Sequence, residues 1–287
     1  MKTRHKNQKD ENFPVAFCLF PRHYKKIINA YYLFARTADD IADNPSLSCD
    51  KKIKELDILE RILLGEKNLS HDYQCATDLR SILLDNNFDF SVATDLLRAF
   101  RQDANGFVYQ SWAQLTNYCL YSAAPVGRFL LALYNESPST YIPAAALCSA
   151  LQIVNHVQDT RYDYHVLKRV YFPEKILHKY NVSTADLENN FLSEELRNAA
   201  NDILVRVERL LKDAEILPQI VTSSALRIEI FVIINLTKSM IYKLQHCDFL
   251  AQNVKLSKFD WICAATKAFG QALFTKRKAT RVTGLIK

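Results

Sequence analysis

Glycine is scarce in this chain, with five in 287 residues, and proline is little commoner at eight. A sheet with many tight turns needs more of both, so the shortage favours long helices joined by short loops. It also removes the Gly-rich nucleotide folds: neither G-x-G-x-x-G nor a P-loop occurs. The seven cysteines form no C-x-x-C, and several lie within apolar runs. They read as reduced core residues of a cytoplasmic protein, not as a disulfide framework. The first residues are polar and lack the apolar core of a signal peptide. No apolar run approaches the ~18 residues that span a bilayer. The longest, Ile228 to Leu236, is broken by Glu229 and Asn235 and reads as a buried helix. Any contact with a membrane is therefore expected from its surface.

What is present is an ordinary globular composition, 49% hydrophobic and 24% charged, with a net charge of +6. Much of that charge sits at the two ends, in MKTRHKNQK and FTKRKATR. Such ends suit anionic headgroups or diphosphates, and equally a solvated basic surface. Nothing points to nucleic acid as a partner.

The spacing predicts one all-α domain over 12–287, preceded by a mobile segment 1–11. The apolar lead-in NFPVAFCLFP ends at Pro21, which can start a helix because its missing N–H would be unpaired there anyway. Helices follow from about Arg22 to Asp43, Cys49 to Leu64, Asp72 to Asp85 and Ser91 to Asp103. Further ones run from about Thr140 to Asp163, Ser193 to Glu215, Ser223 to Leu250 and Leu256 to Lys276, and Ser183 opens a short one with a capping box. The segment from Ser111 to Tyr134 carries Pro125 and Gly127 in its middle. It reads as a kinked helix whose small residues Ser122, Ala123 and Ala124 line a cavity, or as a close helix–helix contact.

Two stretches carry chemistry. In YYLFARTADDIAD, Tyr32, Arg36, Asp39 or Asp40, and Asp43 form one helical stripe. In LQIVNHVQDTRYD, Gln152, Asn155, Asp159 and Asp163 step along one face of an otherwise apolar helix. Both contain Asp-x-x-x-Asp, which sets two carboxylates roughly 5–6 Å apart at Cβ on one helical face. Like charges that close repel unless a cation lies between them. Magnesium takes one or two carboxylates and completes its shell with water and substrate phosphates, and arginine forks suit phosphate oxygens. The pairs are therefore expected to face each other across a helical cavity and hold Mg²⁺ against a diphosphate, with Lys168 and Arg169 closing over it. Tyr118 and Tyr121 fit a cavity wall or simple core packing. His156 reads as structural, and Arg101 with Asp103 as a salt-bridged helix end.

YLFARTADDIAD and NHVQDTRYD resemble the two aspartate-rich motifs of the squalene/phytoene synthase family of head-to-head prenyl transferases. ENFPVAFCLFPR, AFRQD and YCLYSAAPVGRFLLALY look most like its hydroxysqualene synthase branch, found in bacterial hopanoid pathways. The resemblance implies an all-α, single-domain isoprenoid-synthase bundle around a central cavity. It implies Mg²⁺ on Asp39, Asp43, Asp159 and Asp163, with Asp40 nearby. It implies diphosphate contacts from Tyr32, Arg36, Gln152, Asn155 and, more loosely, Tyr242, and a cavity wall including Tyr118, Ser122, Ala123 and Gly127. The expected substrate is the small-molecule isoprenoid presqualene diphosphate, converted to hydroxysqualene without NADPH. Sister prenyl transferases acting on farnesyl or geranylgeranyl diphosphate, and a non-catalytic assembly relative, are the alternatives. The chain departs from the pattern at three points. Ala124 replaces an asparagine and Leu120 a basic residue. The arginine usual five residues after the last aspartate stands six after it, as Arg169, with Lys168 at five, so either a residue is inserted or Lys168 takes the role.

Overall fold

The computed structural model describes residues 24–67 and 73–275. The apolar lead-in with Pro21, the segment 1–11 expected to be mobile, and most of the basic ends lie outside the described residues. Within them every regular element is helical. The first four are α1 (Lys25–Asp43), α2 (Cys49–Leu64), α3 (Gln74–Asp85) and α4 (Ser91–Ala104). Then come α5 (Trp112–Ser122), α6 (Ala124–Leu133), α7 (Tyr141–Gln158), a one-turn α8 (Thr160–Tyr162) and α9 (Glu174–Lys179). The described residues close with α10 (Glu194–Ala214), α11 (Leu217–Ile220), α12 (Ser224–His246) and α13 (Lys258–Phe274).

Local chemistry explains most boundaries. Asn44 precedes Pro45, which disfavours helical backbone, and α1 ends there with Asn44 extended (φ −66°, ψ 110°). Gly65 closes α2 in the left-handed conformation (φ 102°), where a side chain would be strained. Serine hydroxyls cap α5, α10, α12 and α13 at their starts. The segment expected as one kinked helix is two, α5 and α6, broken at Ala123 (φ −126°, ψ −43°). Pro125 supplies the reason, since it sits in the first turn of α6 and needs no N–H bond there. The helices α9 and α11, each six residues or fewer, were not expected. Runs that short hold too few turns to carry a period.

The buried residues form two clusters. One joins α1–α4 with Phe129 and Leu133 of α6, and Tyr31 stacks on Phe129 at 4.0 Å between ring centroids. The Tyr31 hydroxyl donates to the Val92 carbonyl at 2.7 Å, tying α1 to α4. The larger cluster surrounds α7, which packs against α5, α6, α10 and α12. Buried Glu136 accepts bonds from the backbone N–H groups of Thr222 and Ser223 at 2.7 to 2.9 Å. A carboxylate at the start of α12 also complements the positive end of the helix dipole, which fixes that helix in place. Where the two clusters meet, α1, α4, α5, α6, α7 and α12 leave a cavity. No described helix is long and apolar enough to cross a membrane.

Candidate active site

The cavity has a volume of about 490 Å³, within the ~300–1,000 Å³ usual for small-molecule sites. Its wall is polarised along α7. Ala144, Leu147 and Leu151 line it first, then Gln152, Asn155 and His156. Ala144 and Asn155 lie roughly 16 Å apart along the helix axis. Val126, Leu130, Leu226 and Ile233 extend the apolar wall from α6 and α12. Arg36, Asp39 and Asp43 of α1, Asp103 of α4, Asp159, Asp163 and Arg169 supply ionic groups. Both aspartate pairs therefore line one cavity.

On α1 the carboxylates divide by direction. Asp39 and Asp43 line the cavity, whereas Asp40 lies outside its wall and holds the Arg36 guanidinium at 2.6 Å. Arg36 also contacts Asp39 at 3.0 Å. Tyr32 stands beside Arg36, one turn earlier, and is likewise outside the wall. Burial, and then the neighbouring charge of Asp43, raise the Asp39 carboxyl well above the ordinary carboxylate range. Without a cation the pair carries the repulsion that the spacing implies.

The second pair departs from the expected continuous helix. Helix α7 ends at Gln158, and Asp159 caps it with φ −93° and ψ 9°. The Thr160 hydroxyl donates to the carbonyls of His156 (2.9 Å) and Val157 (2.8 Å). Such back-bonding competes with the backbone ladder. The Asp163 N–H still reaches the Asp159 carbonyl at 2.9 Å, so the four-residue spacing survives the break.

Residues Asp163–Leu167 then form a π-helical turn, and Lys168 follows in the left-handed conformation (φ 57°). A π turn takes in one more residue than an α turn. That accounts for the extra residue before the arginine. Arg169, not Lys168, enters the cavity wall, and its N–H reaches back to the Asp163 carbonyl at 2.9 Å. Its guanidinium donates to Asp43 (2.6 Å) and to the carbonyls of Ala42 (3.1 Å) and Asp103 (3.2 Å). Lys168 is exposed and outside the wall. Tyr242 is 63% exposed on α12 and stacks on His246 at 4.2 Å. Lys168 and Tyr242, both expected at a diphosphate, therefore lie off the cavity wall. The left-handed turn carries Lys168 outward, and Tyr242 lies on the outer side of its helix.

Tyr118, Ser122, Ala123 and Gly127 do line the cavity. Ala124, expected beside them, is not on the wall, and Gly127 serves both as lining and as a contact. A Cβ on Gly127 would come within 2.8 Å of the Cys148 sulfur, so the same residue permits close contact between α6 and α7.

Asp103 was read as a helix-end ion pair and is not one. Arg101 instead bridges Asp57 (2.7 Å) and Glu60 (2.5 Å) of α2. Asp103 is buried and accepts bonds from the hydroxyls of Tyr118 (2.7 Å) and Tyr171 (2.9 Å). The signal was there: Leu96, Ala99 and Asp103 fall on the buried face of α4 at helical spacing. His156 stacks on Tyr171 at 3.5 Å, with its Nδ1 3.7 Å from an Asp163 oxygen. Burial pushes this imidazole down to about 4, so at neutral pH it is uncharged. Tyr171 and Phe100 complete an aromatic wall that sequence reasoning missed.

The sequence profile of the squalene/phytoene synthase family matches residues 6–260. The chain belongs to the squalene/phytoene synthase family. The hydroxysqualene synthase of Rhodopseudomonas palustris is 38% identical over 93% of this chain and 91% of its own length. That of Zymomonas mobilis is 36% identical over 94% and 91%. A dehydrosqualene synthase solved with a ligand superposes with a TM-score of 0.73 over 90% of each chain, at 23% identity. A squalene synthase from Alicyclobacillus acidocaldarius gives 0.69 over 79% of this chain and 85% of its own, at 24% identity. These two structures carry the fold. The family carries the class of activity: the protein is an isoprenoid synthase of the prenyl-transferase type.

Proposed function

We propose that the protein converts presqualene diphosphate to hydroxysqualene, with Mg²⁺ as the metal and no nicotinamide. The observation that carries this reading is the cavity itself, with two aspartate pairs on a wall that continues into apolar surface. Its curated hydroxysqualene synthase relatives support the choice of reaction within the family.

The residues fit magnesium. Among the described residues no three carboxylate, imidazole or thiol groups gather closely enough to hold a metal unaided. Pairs of carboxylates that share the ion with substrate phosphates are what magnesium accepts. The Asn155 Oδ1 is buried on the cavity wall without a hydrogen-bond partner, which leaves it available to a cation or a bound water. Asp39, Asp43, Asp159 and Asp163 would hold the metal, which when bound supplies Lewis-acid stabilisation of the departing diphosphate.

The chain's own groups account for the rest. Arg36 and Arg169 present guanidinium forks to the diphosphate oxygens, and Gln152 and Asn155 orient it by hydrogen bonds. Leu130, Leu147, Leu226 and Ile233 bury the isoprenoid and exclude water around the carbocation left by ionisation. Tyr118, Tyr171 and Phe100 offer ring faces that attract that cation. Their contribution is electrostatic, and neutral His156 adds no opposing charge. Water then captures the rearranged cation and gives up a proton, giving hydroxysqualene.

The test is product analysis with presqualene diphosphate and Mg²⁺ in the absence of NADPH. Hydroxysqualene is the expected product. Turnover of farnesyl diphosphate alone would place the protein among the sister prenyl transferases instead.

A further inference from the structure

The last described helix, α13, is amphipathic in the inverted sense. Of its seventeen residues only Ala264 and Ala268 are buried. Its large apolar side chains point outward instead: Phe259, Ile262, Phe269, Leu273 and Phe274 are 55 to 88% exposed. At 100° per residue, Phe259, Ile262, Phe269 and Leu273 fall within about 80° of arc, opposite the two alanines. Lys258 and Lys267 are exposed and flank this stripe on either side. The helix's one acid faces away and is neutralised, because Asp260 accepts from Ser257 at the cap and meets Lys243 at 2.7 Å. Thr266 lies within the stripe, and its hydroxyl is satisfied by the Ile262 carbonyl at 2.8 Å.

The display is rigid. Alanines let α13 approach α12 closely. The Asn235 side chain of α12 bonds both the Ala264 carbonyl (3.3 Å) and the Gln271 side chain (2.9 Å). On α12, Asn235 lies about 160° from Ile233, a lining residue of the cavity. One helix thus separates the cavity's apolar wall from the exposed stripe.

We infer that the outer face of α13 is a docking surface for an anionic lipid bilayer. A helix with an apolar face and flanking lysines lies in the interface plane, and anionic lipid adds to its hold. Charge decides between a bilayer and a second copy of the chain. Residues 258–287 contain seven basic residues and one acid, an excess of +6 that equals the net charge of the whole protein. Two copies meeting face to face would oppose those charges, whereas an anionic leaflet attracts them. The inference uses no feature of the proposed reaction.

Vesicle flotation of the full chain tests it, with phosphatidylcholine–phosphatidylglycerol vesicles and phosphatidylcholine vesicles as probes. The wild type is expected to float with the anionic vesicles and to be released by salt. The triple variant I262S/F269S/L273S should lose at least ~tenfold in binding while keeping its thermal midpoint. The variant K276E/R277E/K278E leaves the stripe intact and should lose about fivefold per basic residue removed on anionic vesicles only. Wild-type protein that stays in the soluble fraction, or an apolar-face variant that floats like wild type, would overturn the proposal. So would sedimentation showing a wild-type dimer that the first variant dissociates, since the face would then join two copies.

Discussion

Asp103 offers a sharp test of the site's internal logic. Its buried carboxylate accepts from two tyrosine hydroxyls, at 2.7 and 2.9 Å. Asp103→Ala leaves the hydroxyls of Tyr118 and Tyr171 buried without that acceptor, at ~1–3 kcal/mol each. The expected loss of stability is about 4 kcal/mol, since the two penalties act together. Arg169 keeps its bond to this residue, because it uses the backbone carbonyl. The control is the same substitution in a Tyr118→Phe/Tyr171→Phe background. There no hydroxyl remains to be stranded, and the carboxylate itself lacks its partners, so its removal should cost close to nothing. Urea unfolding of the four proteins, read at constant m-value, gives the coupling as the difference between the two losses. A coupling near 4 kcal/mol supports the network. Equal losses in both backgrounds, within ~0.5 kcal/mol, would mean that the hydroxyls do not depend on Asp103 and would refute it.

Three further outcomes follow from the geometry. Gly127→Ala should destabilise the protein even though alanine favours a helix by ~1 kcal/mol, because its Cβ meets the Cys148 sulfur at 2.8 Å; adding Cys148→Ala should restore the thermal midpoint, and no rescue would mean that the contact is not limiting. Arg169→Lys should lower turnover at least ~tenfold by replacing a three-acceptor fork with a point charge, while Lys168→Ala should leave turnover near wild type; the reverse ranking in steady-state assays would contradict the reading of the π turn. In the metal-free protein the raised carboxyl of Asp39 contributes stability that is full below the unfolded value of about 4 and is lost as pH rises through the higher folded value. Midpoints measured across that range should therefore fall with pH, and Asp39→Asn or added Mg²⁺ should flatten the slope. An unchanged slope in Asp39→Asn would remove Asp39 as its source.

The helical fold was legible because its signals are local and redundant. The apolar residues of α1 recur at every third or fourth position, and Asn-Pro and Gly65 stop helices by backbone chemistry alone. That the two aspartate pairs share one cavity wall was foreshadowed by like charges at helical spacing, which repel unless a cation lies between them. Side-chain direction at irregular backbone was not. Lys168 and Arg169 are adjacent basic residues, and only the π turn after Asp163 decides which of them enters the cavity. Asp103 was hidden by its neighbour Arg101, whose charge suggested a local pair, although the buried period of α4 pointed inward. Tyr242 shows the converse limit, since a loosely matched motif position does not tell on which face of α12 the residue lies. The apolar stripe of α13 is not legible from the sequence, because only packing reveals that alanines form the inner side.

The central claim is that the two aspartate pairs are halves of one clamp. Single-turnover rates with presqualene diphosphate and Mg²⁺ for Asp39→Asn, Asp159→Asn and the double variant test it most directly. Groups that act as a unit are non-additive, so each single variant should lose nearly as much as the double. Wild-type turnover in either single variant would contradict the account, and so would losses that simply multiply.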